Sequence, residues 1–260
     1  MKKAGPEEYH NFICPAAENP CNQIYPLSIA EGFQTGDIIT SEDNGTVLFW
    51  HYCGFGYLSG PVSESFLEEI YQELFSGDTD RRFVLITGEE KVREFYQKKP
   101  DLMSVPRKEY IYDLTGTDLT GIRNQPSDEQ LSDLFTFEPI TRDNIHRIHG
   151  RIIPAFSWSS SEQFLENGFG FAAVRNGNVC AAAFSAAVSS NEVDIGVETA
   201  GEYRQQGLAT ALTSRMCREI LARGKRPVWA HSAANTGSMK TARKCGFAEK
   251  QTNYLIRPGS

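Results

Sequence analysis

The sequence predicts a mixed α/β protein in two parts. Residues 135–260 read as a domain with a central mixed sheet flanked by helices. Residues 1–134 read as a smaller βαβαβ domain. Three observations lead there. Short runs rich in β-branched and aromatic residues alternate along the chain with amphipathic helical stretches. An Asn-Gly pair, Asn176-Gly177, stands between two apolar runs as a hairpin turn. A strand-like segment, Glu192–Thr199, passes through a short Gly-containing loop into a long helical pattern that ends at Gly224.

The elements follow in order. Met1 to about Ile39 contains Pro6, Pro15, Pro20 and Pro26 and no sustained period, so no element is placed there. Thr46–Leu58 reads as one strand, with Gly54 and Gly56 marking a bulge or a close backbone approach near its end. Ser65-x-x-Glu68 is a capping box opening a helix with Phe66, Ile70, Tyr71 and Leu74 on one side. Arg82–Thr87 is a second strand. Thr87-Gly-Glu-Glu90 caps a helix through Val92, Phe95 and Tyr96 that stops by Pro100, and Glu109–Asp113 is a third strand.

Gly116–Asp133 is polar and carries Gly121, Pro126 and Asp128, so the domain boundary is expected there. Beyond it lie a short strand at Phe135–Pro139, a helix at Asp143–Gly150, and a helix capped by Ser159-x-x-Glu162. Gly170–Arg175 and Asn178–Ala187 form the Asn176-Gly177 hairpin. Glu192–Thr199 is the next strand, followed by a helix with Leu208, Leu212, Met216 and Ile220 in line. Arg226–Ser232 is another strand, and a short helix closes on Lys244-Cys245-Gly246-Phe247.

Composition narrows the function classes. The chain of 260 residues is 40% hydrophobic, enough to build a core, so disorder is not expected. Its six cysteines form no CxxC pair, which fits free thiols in a reducing cytoplasm. Met1-Lys2-Lys3 is followed by Ala-Gly-Pro-Glu-Glu rather than an apolar stretch, so no secretory leader is expected. The longest mostly apolar run, Val179–Val188, is too short to cross a bilayer, and no membrane partner is expected. The net charge of −7 conceals an asymmetry. Residues 1–134 carry 23 Asp and Glu against 11 Lys and Arg, whereas residues 135–260 carry 15 basic against 10 acidic. Within Tyr203–Ala248 nine residues are basic and only Glu219 is acidic, which points to an anionic ligand there. An acidic chain without aromatic–basic interleaving is not expected to bind nucleic acid. His146 and His149 lack a third ligand, so no metal site is expected. Nothing in the sequence speaks to oligomeric state.

The anionic ligand has a natural seat. A strand feeding a helix through Arg204-Gln205-Gln206-Gly207-Leu208-Ala209 presents free backbone N–H groups and the positive end of a helix dipole at one point. Gly207 lets that backbone approach a diphosphate closely.

Arg204-x-x-Gly207-x-Ala209, set between strand and helix and followed by Lys244-Cys245-Gly246-Phe247, resembles the GNAT superfamily of acyl-CoA-dependent N-acyltransferases over about residues 135–256. The wording from Val197 to Ala209, with Pro227-Val228-Trp229-Ala230 and an α/β N-terminal half, looks like the two-part proteins that include zwittermicin-resistance acetyltransferases. The N-terminal part is then readable as a degenerate half of the same fold. The resemblance implies acetyl-CoA as cosubstrate, without a metal. It implies backbone contacts from Val197 and Thr199 to the acetyl and pantetheine part. Arg204, Gln205, Gln206, Gly207, Leu208, Ala209 and Thr210 would hold the pyrophosphate, and Asn235 and Ser238 would lie along the pantetheine arm.

The implied reaction moves an acetyl group directly to a primary amine of a small molecule, an antibiotic or a metabolite. At pH 7 only about one such amine in 2,500 is unprotonated, so a base is required. The candidates are Glu198, Asp194 and His231, with Glu198 the expected one because it is nearest the presumed reaction centre. One departure stands out. Many relatives carry a Tyr, the acid for the leaving thiolate, four residues before the Gly of the closing Gly-Phe; here that residue is Ala242. Tyr203 and Tyr254 are possible substitutes. The departure keeps a second reading open, a CoA-binding protein without turnover. A third, transfer from aminoacyl-tRNA on the same fold, is opposed by the intact cofactor loop.

Overall fold

A computed structural model describes residues 1–113 and 131–259. The chain packs as two compact units, Met1–Lys108 with Gln251–Ser260, and Glu109–Lys250. Both are sheets covered by helices, which agrees with the α/β class. The division differs from the expected cut after residue 134. The stretch Gly116–Asp133 lies outside the described residues apart from 131–133. Packing instead separates the units inside two long strands.

In the first unit, β1 (Lys2–Lys3), β2 (Gly36–Thr40), β3 (Val47–His51), β4 (Phe55–Ser59) and β5 (Val84–Thr87) lie side by side in that order. Pairing is antiparallel from β1 to β4 and parallel between β4 and β5. The expected single strand Thr46–Leu58 is therefore a hairpin, turned at Gly54, whose φ of 92° is one that L side chains rarely adopt. Helices α1 (Ile13–Ala17) and α2 (Ile24–Ala30) occupy the stretch the sequence left unassigned. Helix α3 (Glu64–Ile70) runs on as a π-turn, Tyr71–Phe75, and α4 spans Glu90–Gln97.

The α3 cap is Ser63, which accepts from Phe66 N, rather than Ser65. Starting there places Phe66, Leu67 and Ile70 in the core. Alternate residues of β3 serve two cores: Leu48 and Trp50 pack with α3 and α4 residues, Val47 and Phe49 with Leu27, Ile29 and Ala30 of α2. Both faces of this strand are thus buried.

The second unit orders its strands as β6 (Leu102–Tyr112, from Glu109 on), β11 (Arg226–Ser232), β10 (Glu192–Thr199), β9 (Asn178–Val188), β8 (Gly170–Arg175) and β7 (Thr136–Pro139). The last strand of the chain, β12 (Phe247–Pro258), starts in this unit and ends in the first. Asn176 and Gly177 have φ of 52° and 77°, so the β8–β9 hairpin turns on two left-handed residues as its sequence demands. Helix α5 is Pro154–Ser157, α6 is Ser161–Asn167, α7 is Leu208–Ala222 and α8 is Thr236–Lys244. Ser160 caps α6, one residue later than expected, by accepting from Gln163 N. The expected helix Asp143–Gly150 is only a 3-10 turn, Ile145–Arg147.

Helix α7 buries Leu208, Leu212, Met216 and Ile220 as its period requires. It stops at Gly224, φ 71°, where Gly224 N donates to Leu221 O and Lys225 N to Ile220 O. That pair of bonds satisfies carbonyls the helix end would leave bare.

Candidate active site

Strand β10 sets the site. It pairs in parallel with β11 only from Glu192 to Asp194, matched to Arg226, Pro227 and Val228. It stays antiparallel to β9 all the way to Thr199. Past Asp194 the two parallel strands therefore part, and the β11-facing backbone of Ile195–Thr199 is not bonded to that strand. The cause is local. Asp194 pairs with Ala187 and Ile195 with Ser185, so Ala186 is an extra residue in β9. Such a bulge bends and twists the pair at the point where β10 leaves its other neighbour. Val197 and Thr199 lie in the parted length, opposite Ala183 and Ala181.

The base of the opening is braced by charge. Glu192 is 8% exposed, and its Oε1 accepts from both Nε and Nη2 of Arg226. Asp194, on the same face of β10, is buried as well.

After Thr199 the chain makes a 3-10 turn, Gly201–Tyr203, and enters the loop. Gln205 has φ 65° and Gly207 φ 88°. Left-handed residues close together are a backbone feature from which anion-binding nests are built. Ala211 N donates to Gly207 O, the first bond of α7. Among the described residues, the amides of Gln205, Gln206, Gly207, Leu208, Ala209 and Thr210 have no backbone acceptor. Leu208 and Thr210 are buried and fix the helix start, whereas Gln205 and Gln206 are exposed. Gln206 Nε2 donates to Glu202 O at 3.1 Å, and Arg204 Nε donates to Thr199 O at 3.2 Å.

The three candidate bases differ in what already occupies them. Glu198 Oε2 accepts from Arg151 N at 3.1 Å and Ile152 N at 3.0 Å, and its Oε1 lies 3.8 Å from Arg204 Nη2. Asp194 is buried at the foot of the opening. His231 is 7% exposed and stacks on Tyr110 with ring centroids 5.2 Å apart. Its Nδ1 lies 2.7 Å from Ser232 O. A carbonyl can only accept, so Nδ1 carries a proton, and in the neutral ring the lone pair is on Nε2. That Nε2 is buried and has no hydrogen-bond partner among the described residues. Counting on from the Asp194–Val228 pair, His231 stands level with Val197 across the opening.

Asn235 caps α8 by accepting from Ser238 N at 3.0 Å, and Ser238 Oγ accepts from Trp229 Nε1 at 3.0 Å. Asn235 Nδ2 and the Ser238 hydroxyl proton remain as donors. Ala242 is fully buried. Tyr203 packs edge-on to Phe135, and its hydroxyl is pushed upward in pKa first by a hydrogen bond to Cys180. Tyr254 belongs to the first unit, under the Arg93 guanidinium. Sequence reading missed three features: the Ala186 bulge, the Tyr110 stack, and the Gly150–Ile152 segment that meets Glu198. Gly150 was the available signal, since its φ of 138° is open mainly to glycine.

Comparison with known proteins gives the family and the fold. A curated relative, the uncharacterized N-acetyltransferase YdfB of Bacillus subtilis (strain 168), is 32% identical over 99 residues; the match spans 38% of this chain and 38% of that relative's length. A GCN5-related N-acetyltransferase-like protein from Streptococcus suis 89/1591 superimposes with a TM-score of 0.75 at 21% identity, covering 98% of this chain and 100% of its own. A tandem GNAT protein from the clavulanic acid biosynthesis pathway gives 0.62 at 10% identity, over 98% and 96% of the two chains. At those identities the structural likeness is one of fold. The family model described as GNAT acetyltransferase matches residues 17–256. With nearly its whole length matched, the chain belongs to the GNAT acetyltransferase family.

Proposed function

We propose that this protein transfers an acetyl group from acetyl-CoA directly to a primary amine of a small molecule. The observation that carries the reading is one continuous piece of chain: β10 leaves β11 after Asp194 and runs into a left-handed loop whose amides, from Gln205 to Thr210, lack backbone acceptors. The loop amides and Arg204 suit the cofactor's diphosphate. The unbonded backbone at Val197 and Thr199 suits its acyl end, and Asn235 and Ser238 offer donors along the arm.

When bound, acetyl-CoA supplies an activated thioester carbonyl. The amine nitrogen forms a bond to the carbonyl carbon as the carbon–sulfur bond breaks, and one ammonium proton must leave. Backbone N–H groups of the parted β10 can meet the charge that grows on the carbonyl oxygen, an effect commonly worth about 3–4 kcal/mol per donor. For the proton we assign His231 Nε2, acting directly or through a water, in preference to Asp194 and to Glu198, whose oxygens already serve Arg151, Ile152 and Arg204. Ala242 offers no acid, so the thiolate leaves as an anion toward the basic surface of Tyr203–Ala248 and takes its proton from solvent.

The two-part character supports substrates of the zwittermicin-resistance type, amines on small antibiotics or metabolites. Five of the six free thiols are buried, which suits a cytoplasmic protein. Nucleic acid and membrane partners find no support in this reading. The fully buried Ala242 favours the runner-up, CoA binding without turnover. Thiol release from acetyl-CoA across a panel of primary amines separates the two. Release with at least one amine is expected; binding without release from any would establish the runner-up.

A further inference from the structure

Glu198 is where the expected chemistry and the observed contacts diverge. One of its carboxylate oxygens accepts two successive backbone amides, Arg151 N at 3.1 Å and Ile152 N at 3.0 Å, from a segment 46 residues away or more. Two charge-assisted bonds to one side chain are a strong local tie. The approach depends on Gly150. A Cβ on that residue would stand 2.4 Å from Glu198 Cγ, and its φ of 138° is already one L side chains rarely adopt. The same carboxylate lies 3.8 Å from Arg204, the first residue of the loop. The segment makes no helix: after the turn Ile145–Arg147 regular structure resumes only at Pro154. Glu198 therefore takes up two amides that no helical ladder serves.

We propose that Glu198 is a positioning residue, a latch that holds Gly150–Ile152 against the parted end of β10 and so builds the wall on which the amine is presented. Its kinetic consequence rests on the acyl-transfer reading; its structural consequence does not. The latch needs an accepting oxygen at position 198, not a titrating one. Glutamine keeps that oxygen and can still accept both amides, whereas it cannot serve as a base. Alanine removes both.

The Arg151–Ile152 bond is itself a trypsin site, and the latch closes directly over it. Limited trypsinolysis of the full chain, with cleavage after Arg151 followed by fragment mass, reads the latch without any turnover. Glu198→Ala is expected to speed that cleavage about tenfold or more, since each lost bond to a charged acceptor shifts local opening strongly. The conservative Glu198→Gln should restore it toward the wild-type rate. With an amine that is turned over, Glu198→Ala should raise the amine KM about tenfold with a smaller change in kcat, and Glu198→Gln should rescue KM. Should Glu198→Ala fold poorly, Gly150→Ala strikes the same contact from the other side and should also speed cleavage. Cleavage after Arg151 that stays at the wild-type rate in Glu198→Ala or Gly150→Ala overturns the latch. A kcat about a hundredfold lower in Glu198→Gln, with cleavage at the wild-type rate, overturns the assignment of Glu198 as a positioning residue in favour of a general base. If no amine is acetylated by the wild type, the acyl-transfer reading fails while the cleavage rates still decide the latch.

Discussion

His51 and His231 are both buried imidazoles, and their hydrogen bonds put the ring proton on opposite nitrogens. Cys53 N donates to His51 Nδ1 at 3.1 Å, so His51 carries its proton on Nε2 and its lone pair is in use. His231 donates from Nδ1 and keeps Nε2 open. The first has its lone pair in use within the fold; the second is the group proposed to accept the amine proton. Burial, with the Arg81 charge adding to it, pushes His51 down to about 3. An unfolded His titrates near 6.5, so between those values the unfolded chain binds a proton that the folded chain refuses. The stability His51 contributes is complete above about pH 6.5 and declines toward pH 3, by about 1.4 kcal/mol per pH unit, or about 2 kcal/mol by pH 5. His51→Asn keeps an acceptor for Cys53 N and should lose that part of the pH dependence. Urea unfolding of both proteins at neutral pH and at pH 5 checks it; parallel losses in the two would refute the assignment. His231→Gln should lower kcat about a hundredfold, the usual range for a general base, while leaving acetyl-CoA binding intact. Residue identity alone pointed to Glu198, Asp194 and His231. It could not rank them, because the proposed ranking turns on amides at positions 151 and 152, 47 and 46 residues from Glu198, that only the folded chain brings near.

Elements were legible where their partners are local. The β8–β9 hairpin, β11 and α7 follow the sequence pattern nearly residue for residue, since turn residues, alternation and a glycine stop all act within a few positions. Failures occur where distant partners decide. The helix expected at Asp143–Gly150 shrinks to one turn, and the amides just beyond it go to the distant Glu198. The α3 cap falls at Ser63 because burial of Phe66 and Leu67 fixes the helix start, although Ser65-x-x-Glu68 has the better capping spelling. At the loop between β10 and α7 the local signal is strong enough to test by itself. Gly207, at φ 88°, has the conformation that glycine adopts freely, and among the described residues the amides around it have no backbone acceptor. Acetyl-CoA or CoA should stabilise the wild type by about 2.7 kcal/mol at a hundredfold excess over Kd. Gly207→Glu adds a side chain at a left-handed position and a negative charge beside the diphosphate, so it should abolish the thermal shift. A wild-type protein that shows no shift in millimolar CoA would sink the cofactor assignment.

The molecule as a whole is divided by packing rather than by the polar stretch that composition picks out. Its last residues return to the first unit: Tyr254, Leu255 and Ile256 pair with Thr87, Ile86 and Leu85, antiparallel. No short-range pattern announces that, because a strand at Phe247–Pro258 reads the same whichever unit it joins. Ile256 is 1% exposed and shares a core with Trp50, Leu67, Phe83, Leu85 and Tyr96. Removing its side chain beyond Cβ leaves a void among large rigid neighbours. Ile256→Ala should therefore cost about 2–5 kcal/mol, although the change lies only four residues before Ser260. The tryptophans localise the effect. Trp50 lies in the first unit, and Trp158 and Trp229 lie in the second. With fluorotryptophan labelling, the Trp50 resonance of Ile256→Ala should leave its folded position at a lower urea concentration than in the wild type. A Trp50 midpoint that does not move would mean that the C-terminal strand does not belong to the first unit's core. Movement confined to Trp158 and Trp229 would place that strand with the second unit instead, and the cut after residue 134 would then describe how the chain divides.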